Sequence, residues 1–244
     1  MNVIFNRPQC AFQHESISNV CIAAVLKRNT PHAAKIFSNV FFVCTMIFLV
    51  CSLAFTAVMA TNSTDIVSSG DGDIFGVDIS AALDLDTASC LASKGTAFII
   101  PRAYRSIGDI DSNACTSLVN AQTAGIAQRD VYIFPCPTCS SSAADQLTAM
   151  VAYLKGTCDD AWSGRSWLDI EGADSYWTGD FSKNQAFFED LVDPCLTTSA
   201  SCGVYASYNS WTAIFGSASY SYAPAATMPL WYPHYDGDKS FEDW

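Results

Sequence analysis

At residues 167–172 the chain reads WLDIEG, an apolar run that contains two carboxylates and ends at a glycine. Side chains in a β-strand alternate between two faces, so Asp169 and Glu171 should project from the same face with Cα atoms roughly 6–7 Å apart. Like charges this close repel each other. The simpler alternative is that both carboxylates lie on a solvent-exposed strand face. However, their repulsion at the end of an apolar strand would then need to be offset by other interactions.

Paired carboxylates near this spacing are the groups that cleave a glycosidic bond. One protonates the leaving oxygen, and the other stabilises or attacks the sugar cation that develops. The motif therefore favours a glycosidase. It does not identify the polysaccharide, because the same pattern on a strand also occurs in chitinases.

Outward from this motif, short apolar runs alternate with helical patterns at a spacing of roughly 30 residues, which is typical of βα units and a parallel sheet. The predicted strands lie at 74–80, 97–100, 131–134, 167–172, 203–206 and from 229 onward. No glycine-rich phosphate loop follows the first of them, which argues against a nucleotide-binding doubly wound sheet. Polar residues at several strand ends instead favour an α/β fold of the TIM-like barrel type.

Two of the intervening helices have predicted ends. Leu147, Met150 and Leu154 share one helical face, and Gly156 should close that helix. A later helix should end before Pro194, because proline disrupts helical hydrogen bonding.

The chain before the barrel divides into three parts. Residues 1–36 show no clear periodicity and are interpreted as a leader or cytosolic tail. Residues 37–60 are interpreted as the core of a signal peptide, cut after Ala60, or as a signal anchor, since 40–60 carry no charge and basic residues precede them. Residues 61–73 form a predicted linker with a glycosylation sequon at Asn62.

Either interpretation of the apolar segment places the remaining domain, 74–244, outside the cytoplasm. We therefore expect a protein secreted or held in the endolysosomal lumen, with a signal-anchored membrane protein as the alternative. Membrane attachment is expected only if 40–60 stay uncleaved.

The charge of the chain excludes several classes of partner. It carries 24 acidic and 12 basic side chains, for a formal net charge of −12. Such a protein is a poor nucleic-acid binder. His234 is the only histidine after the apolar segment, and no GxSxG motif is present. We predict no metal, no cofactor and no obligate protein partner.

Seven cysteines follow the apolar segment, which in an exported protein indicates disulfides. Cys195 and Cys202 flank a short turn and are expected to pair. Cys136 and Cys139 could be a redox CxxC, but a structural disulfide is preferred because they follow a strand. Since seven is odd, one thiol is expected to be free or to have its partner outside this chain.

Six elements, in their order along the chain, resemble those of the family 25 glycoside hydrolases, the CH-type lysozymes, and especially their small secreted eukaryotic branch. These elements are GVDIS at 76–80, FIIPRAY at 98–104, VYIFPCPTC at 131–139, WLDIEG at 167–172, GVYASYNSW at 203–211 and PLWYPHYD at 229–236. They cover nearly everything from residue 74 to the end.

The resemblance implies an irregular β/α barrel. It also implies cleavage of the β-1,4 bond between N-acetylmuramic acid and N-acetylglucosamine in bacterial peptidoglycan, for defence or digestion. Family members continue through two further strands, the last of which carries another active-site aspartate. We therefore expect a barrel with about six strands, with the last two missing from this sequence.

The resemblance further implies the roles of individual residues. Glu171 would be the general acid, and Asp169 would act as nucleophile or orient the substrate's own N-acetyl group. Asp78 would tune this pair. The predicted aromatic walls of the groove are Phe134, Tyr205, Trp231 and Tyr235, with core packing as the alternative for Phe134.

Arg102 is expected either to contact the substrate or the acidic groups, or to form a structural ion pair. Two alternatives to a muramidase stay open: a chitinase-like glycosidase, and an inactive glycan-binding protein that lacks its final strands.

Overall fold

A computed structural model describes residues 22–27, 73–197, 201–233, 241 and 244. The apolar segment at 40–60, the sequon at Asn62 and the predicted site residue Tyr235 lie outside these residues. Among the described residues, no helix combines the length and hydrophobicity that a membrane span requires.

The described residues form a curled, mostly parallel sheet with helices packed on its outer face. The strands are β1 (Ile22–Lys27), β2 (Asp73–Ile79), β3 (Phe98–Arg105), β4 (Asp109–Ile110), β5 (Gln128–Arg129), β6 (Val131–Ile133), β7 (Arg165–Asp169), β8 (Ser201–Tyr205) and β9 (Leu230–Trp231). The helices are α1 (Leu85–Ser93), α2 (Asn113–Thr123), α3 (Ala143–Cys158), α4 (Ala173–Tyr176), α5 (Phe181–Thr197) and α6 (Tyr208–Phe215).

Within the described chain, six parallel strands lie side by side in chain order, as β2-β3-β6-β7-β8-β9, and form a half-barrel. Each of the six corresponds to one of the predicted strands. This confirms the α/β class and the irregular β/α barrel, because βα units in sequence build neighbouring parallel strands.

One strand was not predicted. β1 pairs antiparallel with β2, with Ile22 opposite Asp78 and Lys27 opposite Asp73. The sequence of residues 1–36 shows no periodicity that predicts an element there. The physical reason is that an edge strand presents unpaired backbone N–H and C=O groups, which an apolar segment such as IAAVLK can satisfy.

Two predicted helix ends were wrong. α3 runs past Gly156 to Cys158, and α5 continues through Pro194 to Thr197. Pro194 is buried there, as are Leu191 and Val192, which pack against the main core. Tertiary packing therefore outweighs the local preference to end the helix at these residues.

Strand alternation separates two sets of apolar side chains. The outer face of the sheet packs against the helices, while a smaller cluster fills the concave inner face; the inner cluster is Phe98, Ile100, Trp167 and Trp231. Gly203 makes room for it, because a Cβ there would lie 2.5 Å from the Trp167 ring. The inner face is therefore filled by packed, mostly aromatic side chains. Its polar side chains lie toward the C-terminal ends of the strands.

Disulfides join three pairs of cysteines: Cys115–Cys158, Cys136–Cys139 and Cys195–Cys202. The last two are the predicted pairs. Cys90 is also disulfide-bonded. The free thiol expected among the seven is therefore not found.

We expect the Cys115–Cys158 bridge to stabilise the fold more than Cys195–Cys202. Their sequence separations are 43 and 7 residues, and a longer closed loop costs the unfolded chain more entropy. Replacing Cys115 and Cys158 with alanine should lower the free energy of unfolding by about 4 kcal/mol, against about 2 kcal/mol for the shorter bridge. Equilibrium urea unfolding of the two double variants measures both values. A larger loss from the shorter bridge would contradict the expectation.

Candidate active site

Three carboxylates converge at the C-terminal ends of the parallel strands. Asp78 lies near the end of β2, Asp169 is the last residue of β7, and Glu171 follows two residues later. β2 and β7 are separated by β3 and β6 in the sheet. The curvature of the half-barrel still brings their carboxylates close enough for the charge of Glu171 to raise the pKa of Asp78 and of Asp169.

Asp169 is the most deeply buried member of this group, with 6% of its surface exposed. Burial raises the pKa of Asp169 well above its usual range, and the charges of Glu171 and Asp78 raise it further. Its Oδ1 atom has no hydrogen-bond partner among the described residues. A buried acceptor without a partner is costly, so this atom is suited to receive a donor from a ligand.

The other two carboxylates also hold their protons more tightly than in water. Burial raises the pKa of Glu171. Burial likewise raises the pKa of Asp78 to about 7, opposed by a backbone hydrogen bond and assisted by the charge of Glu171. All three shifts favour the protonated carboxylic acid, which is the form that a general acid needs.

Arg102 is engaged in a structural ion pair. Its Nε atom lies 2.9 Å from Oδ2 of Asp111, and its guanidinium also donates to the carbonyl of Ser80 at 3.4 Å. The same cation lowers the pKa of Asp169. Of the two predicted roles, the ion pair is the one formed in this structure, with an electrostatic effect that reaches the carboxylates.

The predicted aromatic walls differ in their exposure. Trp231 is 3% exposed and packs edge-to-face against Tyr205 and Trp167, with centroids 4.8 and 5.6 Å away. Its ring is part of the inner aromatic cluster, and Gly203 leaves space for the Trp167 ring that it packs against. The stacking role of Trp231 stays a prediction. Tyr205 is half-buried beside Asp169 on the neighbouring strand, so it still fits the prediction.

Tyr132 is a site residue that the sequence analysis missed. It lies on β6 between Arg102 and Trp167 in the sheet register. Burial raises the pKa of the Tyr132 phenol, and the charge of Asp169 raises it further. The hydroxyl therefore stays protonated as a potential donor close to the carboxylates. Tyr132 lies two residues before Phe134 on the same predicted strand, so its side chain is expected to share a face with Phe134, and this pattern could have predicted it.

The backbone that carries Glu171 is held by the turn after it. Gly172 adopts a left-handed conformation with φ 71°, which favours glycine. The indole of Trp177 donates to the carbonyl oxygen of Glu171 at 2.9 Å. The ring of Tyr176 covers Gly172 and meets Phe134 edge-to-face at 4.8 Å. Tyr176 and Trp177 also escaped prediction, because a four-residue helix has no periodicity to reveal it.

Within the described part of the chain, no group of three or more His, Cys, Asp or Glu side chains has an arrangement that could hold a metal ion.

We expect the Asp78→Asn variant to be more stable than the parent above neutral pH. The pKa of Asp78 is raised from 3.8 to about 7 on folding, so the parent loses stability as pH rises from about 4 to 7. Asparagine removes that loss, which amounts to at most about 4 kcal/mol at pH 8. Thermal unfolding at pH 4 and pH 8 should show a gain at pH 8 that shrinks at pH 4. A stability difference between Asp78→Asn and the parent that does not change with pH would contradict the raised pKa of Asp78.

Comparison with known proteins identifies the family. The family model described as "Lysozyme-like protein 1" matches residues 71–244. The chain belongs to this lysozyme-like family. The match includes all three carboxylates and every strand of the parallel half-barrel.

Two relatives with similar sequences carry lysozyme names. The protein named "Probable GH family 25 lysozyme 2" of Dictyostelium discoideum is 48% identical over 170 residues, which are 70% of this chain and 76% of that protein. "Lysozyme-like protein 5" of Caenorhabditis elegans is 36% identical over 168 residues, 68% and 74% of the two chains. This chain is accordingly a lysozyme-like glycoside hydrolase.

A solved structure supports the fold. The muramidase from Acremonium alcalophilum aligns with a TM-score of 0.52 and 24% identity, covering 68% of this chain and 79% of that one. The half-barrel is therefore the architecture of this lysozyme-like chain.

Proposed function

We propose that this chain hydrolyses the β-1,4 bond between N-acetylmuramic acid and N-acetylglucosamine in bacterial peptidoglycan. The observation that carries the proposal is the convergence of Asp78, Asp169 and Glu171, each with a raised pKa, at the C-terminal ends of the strands. The names of the relatives, GH family 25 lysozyme and lysozyme-like protein, support the same substrate class.

Glu171 is the proposed general acid. The charge of Glu171 raises the pKa of Asp169, so ionising both carboxylates together is costly, and burial raises the pKa of Glu171 itself. Glu171 is the more accessible of the two, since Asp169 is buried. A protonated Glu171 would donate to the glycosidic oxygen as the bond to the anomeric carbon breaks.

Asp169 is the proposed anionic partner. Its unpartnered Oδ1 can accept the N–H of the substrate's N-acetyl group, which would favour the ionised carboxylate and aim the acetyl oxygen at the anomeric carbon. Direct attack by Asp169 on that carbon is the other course, and both retain configuration. Asp78 lies where its charge state tunes this pair.

The proposed place of action is outside the cytoplasm, by secretion or in the endolysosomal lumen. Disulfides such as Cys115–Cys158 and Cys195–Cys202 support it, because they persist in oxidising compartments.

Turnover on two purified polymers tests the proposal. We expect release of new reducing ends from peptidoglycan and little or none from chitin. Faster cleavage of chitin would favour the chitinase-like alternative, and binding to peptidoglycan without any turnover would identify an inactive glycan-binding protein.

A further inference from the structure

An exposed tyrosine lies on the segment that directly follows the proposed general acid and packs over Gly172. Tyr176 ends α4, the short helix that begins two residues after Glu171, and 40% of its surface is exposed. Its ring meets that of Phe134 at 4.8 Å with an interplanar angle of 72°. We call this pair, Phe134 and Tyr176, the aromatic ledge.

The position of the ledge is fixed by the backbone around it. A Cβ on Gly172 would lie 2.6 Å from the Tyr176 ring, so the ring rests directly on the glycine. The indole of Trp177, the next residue, is tied to the carbonyl of Glu171. These contacts fix the position of the Tyr176 ring relative to the backbone of Glu171.

Tyr176 contributes little to the core. It is absent from the buried clusters, whereas its neighbour Trp177 is buried and packs against Phe187 and Phe215. A large ring that is rigidly held and yet exposed to water forgoes the free energy of burial, which a ligand can supply.

We propose that Tyr176, supported by Phe134, is the stacking surface for a pyranose ring next to the bond that is cleaved. This inference rests on the proposed function and adds a binding residue to it. A pyranose presents an apolar C–H face that packs on the negative face of an aromatic ring. Stacking there would hold the glycosidic oxygen within reach of Glu171, while the tyrosine itself transfers no proton.

The simplest rival is a purely structural role, in which Tyr176 only shields Gly172 and so positions Glu171. The two roles differ in what a substitution changes. Loss of a stacking surface weakens binding and raises KM, whereas loss of a support for Glu171 lowers kcat and leaves the Kd of the sugar unchanged.

The test uses Tyr176→Phe, which keeps the ring, and Tyr176→Leu, which keeps apolar bulk but removes the flat face. Kinetics would be measured on soluble peptidoglycan fragments. The Kd of the same fragments would be measured by calorimetry in a Glu171→Gln background, where no turnover is expected. Tyr153→Leu, a half-buried tyrosine on α3, is the matched control.

We expect Tyr176→Phe and Tyr153→Leu to bind within twofold of their parent. Tyr176→Leu should raise both KM and Kd about five- to tenfold, with kcat within twofold. An unchanged Kd for Tyr176→Leu, or a fall in kcat at constant Kd, would overturn the stacking role. That outcome leaves the proposed function standing, whereas absence of fragment hydrolysis by the parent chain would overturn the proposed function itself.

Discussion

Replacing Glu171 with glutamine should reduce turnover on peptidoglycan by roughly 10²–10⁴-fold, the usual contribution of general acid catalysis. The amide has nearly the same size and shape but no proton to donate to the leaving oxygen. The fold should be unaffected, because Trp177 binds the backbone carbonyl of Glu171 rather than its side chain. Initial rates of reducing-end release, with a thermal unfolding curve for each protein, measure both effects.

Glu189→Gln is the matched control for that variant. Glu189 lies on α5, where its carboxylate accepts a hydrogen bond from the Tyr220 hydroxyl at 3.2 Å, and an amide oxygen can accept the same bond. It should keep the parent rate. Turnover by Glu171→Gln close to that of Glu189→Gln would rule out Glu171 as the general acid.

Replacing Asp169 with asparagine should lower turnover by roughly 10²–10³-fold, the scale on which one aligned electrostatic contact contributes to a transition state. The amide cannot carry the negative charge that stabilises the sugar cation, whether Asp169 attacks the anomeric carbon or orients the N-acetyl group. The same change removes a buried ionisable group whose pKa is raised, so stability at neutral pH should increase. Reducing-end assays and thermal unfolding on one preparation test both expectations.

Asp86→Asn serves as the control for the aspartate, since Asp86 is exposed in the first turn of α1. It should leave both rate and stability near the parent values. Parent-like turnover by Asp169→Asn would mean that the charge of Asp169 takes no part in the reaction.

The parallel half-barrel and the carboxylates on its inner face were predictable from local patterns. A two-residue period puts Asp169 and Glu171 on one face, and alternating strands and helices place Asp78 at the same end of the sheet. β7 in fact ends at Asp169, so Glu171 lies just beyond the strand, and this shift of two residues leaves their shared location intact.

What the patterns could not supply was the packing around those groups. Parity places Trp231 on the inner face, but only the contacts with Trp167 and Tyr205 show that its ring is covered. Tyr176 belongs to a helix too short for periodicity, and its exposed position depends on the left-handed turn at Gly172. Both outcomes arise from contacts between segments that are distant or irregular, which single-sequence patterns do not encode.

The pairing of β1 with β2 shows the same limit for a whole strand. IAAVLK carries a weak local preference, and its conformation follows from the open backbone edge of β2. The ends of α3 and α5 were likewise set by the core, which holds Cys158 and Pro194 in helical conformation.

Identification of the sugar at the new reducing end tests the central claim most directly. Purified peptidoglycan digested with the parent chain would be reduced with borohydride, and the products would be analysed by mass spectrometry beside a Glu171→Gln digest. The account predicts reduced N-acetylmuramic acid at the released ends, and none above background with Glu171→Gln. Reduced N-acetylglucosamine at those ends, or equal release by the variant, would contradict it.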